Sequence, residues 1–159
     1  MKQLNLDKIK VALERVPDEF EGMVAQIGFP SGINYEDGTS VAYVAAIQEF
    51  GAPAVNIPPR PFIQPTIRAK KKYWSDVLAA QIPKVVMGKM TAFDALDLVG
   101  MTAAAGIKET ISKITAPPLK PATIKRKGSA KPLIDTGLML ASVQNAVNKE
   151  GSEFTGKGS

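Results

Sequence analysis

The sequence predicts a mixed α/β (α+β) domain: several helices including one long helix, a few short strands, and extended Pro-rich loops. Three observations carry this. Apolar and small residues recur at spacings of three and four from Phe93 to Ile114, about six helical turns. Two short stretches, 21–29 and 142–147, alternate as strands do. Two others, 52–61 and 116–132, hold too many prolines for either regular element. A chain of 159 residues, 45% hydrophobic and 22% charged, suffices for one globular core and is short for two. The expected organisation is a single domain over 1–150 and a disordered polar end over 151–159, whose Gly-Ser-Glu-Phe reads equally as native or as a cloning scar.

Taken in order, Leu6, Ile9, Leu13 and Val16 lie at helical spacing, and Pro17 is expected to stop that helix. The segment 21–29 places Met23, Ala25 and Ile27 on one face of a strand. Residues 30–40 are rich in turn formers, Asp37-Gly38 among them, and read as a long loop or open hairpin. Val41, Tyr43 and Val44 suit a strand, but Ala45, Ala46, Gln48 and Glu49 favour a helix. A short helix from Val41 is expected, closed by Gly51 in a left-handed cap. Four of the ten residues in 52–61 are proline, which predicts a stiff, extended connector ordered at low entropic cost. Pro65 suits the first turn of a helix that continues over 66–82 and turns Ile67, Trp74, Val77 and Leu78 inward, with Pro83 kinking or ending it. Thr91 and Asp94 have capping-box spacing for the long helix. Its inward stripe is Phe93, Leu96, Gly100, Ala103, Ile107, Ile111 and Ile114, and its small residues let a neighbouring backbone approach. Asp135 is positioned to cap a short turn through Leu140, and the 142–147 strand places Val143 and Val147 on one face.

Function classes narrow by composition. Without Cys or His, the chain cannot form disulfides, Cys/His zinc sites, or Ser-His or Cys-His catalytic pairs. No apolar run approaches the roughly 18 residues of a membrane span, and no secretory signal is expected. The candidate acid/base groups are carboxylates. Glu36-Asp37 fits turn chemistry, and Asp94 and Asp97 complement a helix N-terminus. No phosphate-binding glycine motif appears. We therefore expect no enzyme and no cofactor. The net charge of +5 is uneven: −4 over 1–54, +9 over 55–135 and zero over 136–159. Lys70-Lys71-Lys72 and Lys125-Arg126-Lys127 are candidate basic contacts for phosphates or an acidic partner, against the simpler reading of solvated surfaces. DNA contact, if made, is not sequence-specific, since no helix-turn-helix accompanies the charge. Arg60 and Phe62, braced by prolines, read either as a snorkelling Arg with a core Phe or as anchors of a protein interface. Glu49 is placed to pair with Arg60 in its own chain or in a neighbour.

These residues carry a resemblance. Tyr43–Gly51, followed by Ile57-Pro58-Pro59-Arg60-Pro61-Phe62-Ile63-Gln64-Pro65, resembles a signature of the tail-completion (head–tail joining, neck) proteins of long-tailed bacteriophages. Pro132-Leu133-Ile134-Asp135-Thr136-Gly137-Leu138 resembles a second motif of the same group, although Leu138 and Met139 stand where that group carries polar residues. The likeness spans residues 20–148. It implies a small, mostly antiparallel sheet packed by the helices. It also implies a structural virion protein that assembles in the host cytoplasm and ends in the tail or neck. There its copies would form a ring, hexamer or dodecamer, against an adaptor or stopper, a tail terminator or the tail tube. A tail terminator capping the tube is the nearest alternative, and a nucleic-acid-binding protein using the basic middle is the alternative of a different class. No membrane partner is expected. The expected interface residues are Glu49, Phe50, Arg60, Phe62 and Asp135.

Overall fold

The structure, a computed structural model, describes residues 6–118, 121, 125 and 137–156. The helices whose bounds are described are α1 (Leu6–Glu14), α2 (Val16–Phe20), α3 (Val41–Phe50), α4 (Ile63–Val86), α5 (Ala92–Lys113) and α6 (Leu138–Ala141). Two strands, β1 (Met23–Gly28) and β2 (Gln144–Lys149), pair antiparallel, with Met23 opposite Lys149 and Gly28 opposite Gln144. The fold is thus the mixed α/β class expected, with a small antiparallel sheet.

The longest elements, α4 and α5, form an antiparallel hairpin. Thr66 of α4 meets Thr110 of α5, and Lys70 meets Glu109, so the start of one helix lies beside the end of the other. Glycine permits the close approach: a Cβ on Gly106 would sit 3.1 Å from the Lys70 side chain and 3.5 Å from those of Thr66 and Trp74. The capping box is present, with Thr91 Oγ1 accepting from the Asp94 N–H at 3.0 Å and Asp94 accepting from the Thr91 N–H.

One face of α5 carries the sheet. Asn145 of β2 lies against Gly100, where a Cβ would meet its amide nitrogen at 2.9 Å. Asn145 Nδ2 donates to Asp97 Oδ1 at 2.6 Å. The main core gathers Val41 and Ala45 of α3, Phe62, Ile107 and Ile111 of α5, Met139 of α6, and Val143. Phe29 meets Phe62 edge-on, ring centroids 5.9 Å apart, in the geometry that aromatic quadrupoles favour.

Several expectations require correction. Pro17 does not end the first helical run; it enters the first turn of α2, where a missing N–H costs nothing. Pro83 does not end α4, which continues past it to Val86. Ala79, whose carbonyl loses its usual donor, and Pro83 are both exposed, so water can compensate. Pro65 falls in the first turn of α4, as expected. Gly51 closes α3 at φ 76° and ψ 172°, a positive-φ stop but not the left-handed helical cap expected. The 52–61 connector is not wholly extended: Pro53–Val55 form a 3-10 turn, closed by a bridge between Ala52 and Ile57. Phe93 is half exposed, so the inward stripe of α5 starts instead at Ala92 and Ala95. Ser152–Gly156 are not a free tail. Gln26 Nε2 donates to Ser152 O at 3.0 Å, the Ser31 N–H donates to Phe154 O at 3.1 Å, and Gly156 packs on Pro30. This stretch covers the sheet face opposite α5. Asp135, Arg126 and Lys127 lie outside the described residues.

Candidate assembly interface

The signature segment folds into an internal lock, built from the two ends it joins. Helix α3 buries Val41, Ala45 and Glu49 along one face. Its last turn holds Glu49 and no basic residue, although a carboxylate is disfavoured at a helix C-terminus. The compensation comes from the helix that follows. Glu49 Oε2 accepts the N–H groups of Phe62 at 2.7 Å and Ile63 at 2.8 Å, and Oε1 accepts that of Gln64 at 3.0 Å. A helix leaves four N–H groups at its start without intrahelical partners. Counted from the cap residue Phe62, the fourth position is Pro65, which has no N–H, and Glu49 satisfies the other three. The buried carboxylate thus acts as the cap that α4 lacks at Phe62, with its charge at the favourable end of the dipole.

Gly51 lets the chain turn back. Any Cβ there would lie 2.9 Å from Pro59 N and 3.0 Å from Ile57 O, both backbone atoms, at a positive φ. Arg60 then closes the loop. Its N–H donates to Gln48 O at 2.6 Å, Nε donates to Pro117 O at 2.9 Å, and Nη1 donates to Gln48 Oε1 at 3.3 Å. One side chain thereby ties α3 to both proline-rich connectors. Burial pushes the Arg60 pKa below the usual guanidinium value. Phe62 completes the lock as a fully buried core residue.

This placement corrects the interface expectation for three residues. Glu49, Arg60 and Phe62 are buried within their own chain, at 5%, 5% and 0% exposure, and offer nothing to a neighbour. Nor does Glu49 pair with Arg60: the carboxylate faces the α4 N–H groups, and the guanidinium faces Gln48 and Pro117. Of the expected residues that the structure describes, Phe50 is the one found outward, at 74% exposure. Tyr43 and Ala46 are exposed on the same side of α3, at helical spacings of three and four from one another and from Phe50, opposite the buried face. Val55, 65% exposed, follows in the 3-10 turn. Tyr43 and Val55 were missed because the strand-or-helix ambiguity of 41–51 and the irregular loop gave no facing for either.

The basic candidates are dispersed. Lys70 pairs with Glu109, which also takes Lys113, and these two cations hold the Glu109 carboxyl down to about 2. Lys72 pairs with Asp76 one turn on, at 2.8 Å. Lys71 and Lys125 are exposed. Among the described residues, no three carboxylate, His or Cys side chains gather where a metal ion could be held, and no helix is long and apolar enough to cross a membrane. An open groove of about 360 Å³ runs between α5 and the start of β2, lined by Met101, Ala105 and Lys108 on one side and Val143, Gln144 and Asn145 on the other. Compared with known proteins, the chain matches no family model, no curated protein and no solved structure.

Proposed function

We propose that this chain is a non-enzymatic virion protein of a tailed bacteriophage, a tail-completion or head–tail joining subunit whose copies assemble into a ring at the neck. The reading is supported by its two-part resemblance to that group. The observation that carries it is mechanical: the signature segment is a lock that fixes an apolar side chain in solvent. Burying a Phe is worth roughly 1.5–3 kcal/mol. A fold that caps one helix with the end of another, fills its core with Phe62, and still points Phe50 outward forgoes that gain. Because Tyr43, Ala46 and Phe50 share one helix face, the exposure is a patch, and apolar patches mark contact surfaces. A preorganised mount loses little entropy on docking. The split between an acidic first third and a basic middle suits copies that meet through unlike surfaces.

The test is the mass of the purified chain across a wide concentration range, with electron microscopy of the largest species. Closed rings of a fixed copy number support the reading. A chain that stays at 16.9 kDa throughout, and binds duplex DNA with a steep dependence on salt, favours the nucleic-acid alternative instead. That alternative is weakened by the pairing of Lys70 with Glu109 and of Lys72 with Asp76, which reduces the charge offered to phosphate.

A further inference from the structure

We propose that the contact between copies is made by the outer face of α3 on one copy, led by Phe50, seating in the groove between α5 and β2 on the next. This rests on the ring reading above and names its interface. Three observations support it.

The first is that face and groove are separate surfaces. The α3 face lies opposite Val41 and Ala45, which are core residues. The groove is walled by Ala104 and Val143, whose other sides belong to the same core. One body of packed side chains thus stands between a projecting surface and a receding one. A projection on one copy that fills a recess elsewhere on the next makes a heterologous contact, and such contacts repeat into rings or filaments.

The second is fit. The groove holds about 360 Å³, near the lower end of the roughly 300–1,000 Å³ of clefts that take a drug-sized ligand, so a single aromatic side chain has room in it. Its floor is apolar where Phe50 would enter: Met101 is 45% exposed and Ala105 is exposed beside it. The flexible thioether of Met101 adapts readily to an aromatic ring.

The third is charge. Lys108 is the charged residue in the groove lining. The exposed Glu36 and Asp37 lie in the turn that leads into α3. Opposite signs on the two surfaces favour their meeting over the meeting of like with like. A second copy supplies all of these features at once, so we commit to it as the occupant.

A mixing experiment tests this. Phe50→Asp removes the projection, and Ala105→Glu places a carboxylate in the recess. Both positions are exposed, so Ala105→Glu should keep the wild-type unfolding midpoint, and Phe50→Asp, a carboxylate at a helix C-terminus, should lower it slightly and leave the chain folded. Each alone should weaken self-association at least about thirtyfold, as loss of an interface anchor does. Mixed in equal amounts, they should give a one-to-one heterodimer and nothing larger, because one contact remains intact and every other is broken. Native mass spectrometry with one variant isotope-labelled reads this directly. If Ala105→Glu still self-associates while Phe50→Asp does not, α3 meets α3 and the proposed contact is wrong. Rings formed by both variants alone would also overturn it while leaving the ring reading standing. A wild-type chain that never associates removes the ring reading itself.

Discussion

The lock makes Glu49 the residue whose loss should be felt most. Replacing it by Ala leaves the first N–H groups of α4 without their acceptor. The Phe62 N–H is in a buried setting, and those of Ile63 and Gln64 are partly buried. Hydrogen bonds to a charged acceptor contribute roughly 1.5–3 kcal/mol each. Water can recover part of the Gln64 bond, because Gln64 is exposed. The expected cost of Glu49→Ala is therefore about 3–5 kcal/mol, a large share of the 5–15 kcal/mol that typically holds a domain folded. Glu49→Gln is the milder probe. It keeps one oxygen for Phe62 and Ile63 but turns an NH2 toward the Gln64 N–H, and should cost about 1–2 kcal/mol. Equilibrium urea unfolding measures both, with an unchanged denaturant slope showing that the same fold is lost. Amide exchange adds a local reading, since protection at 62–64 should fall before that of the α5 core. A loss below about 1 kcal/mol for Glu49→Ala, or unaltered protection at Phe62 and Ile63, would refute the capping role.

Three further outcomes follow from the geometry. Gly51→Ala should destabilise by more than about 1 kcal/mol, since it combines a positive φ with a 2.9 Å clash on Pro59 N; a neutral result in urea unfolding would mean that the turn can relax. Gly100→Ala should also destabilise, although Ala favours the helix by about 1 kcal/mol, because the added methyl presses on Asn145. Combining it with Asn145→Gly should cost less than the sum of the two single changes, which unfolding of the double variant checks. The Glu109 carboxyl should titrate near 2 by NMR, shifting up in Lys113→Ala and less in Lys70→Ala. Its folded value lies below the ordinary 4.5, so its stabilising effect is present above about 4.5 and lost as pH falls through about 2; a midpoint near 4.5 would show that the pairs do not form in solution.

What could be read from the sequence divides by the range of the physics. The Thr91–Asp94 box, the stop at Gly51 and the small-residue stripe of α5 depend on a few neighbouring residues, and all were legible. Pro17 and Pro83 misled because proline's effect depends on where in a turn it falls and on whether water reaches the freed carbonyl. Ser152–Gly156 look like a polar tail, yet bonds to Gln26 and Ser31, more than a hundred residues away, hold them. Spacing leaves Arg60 and Phe62 between core and contact, and burial decides for the core. A signal did exist at Glu49: an acid in the last turn of a helix, with no base beside it, opposes that helix's dipole and so points to a partner elsewhere. The proline-phenylalanine start of α4 was that partner, but its position in space could not be seen from spacing alone.

In the proposed assembly, the locked segment presents Phe50 to another copy. Sedimentation velocity of the wild-type chain and Phe50→Asp, at matched concentrations up to the solubility limit, tests it most directly. The account predicts a wild-type species that grows with concentration beyond 16.9 kDa, and a variant that remains a folded monomer, its thermal midpoint lowered only by the small cost of a carboxylate at a helix C-terminus. Equal association by both chains, or none by the wild type, would contradict it.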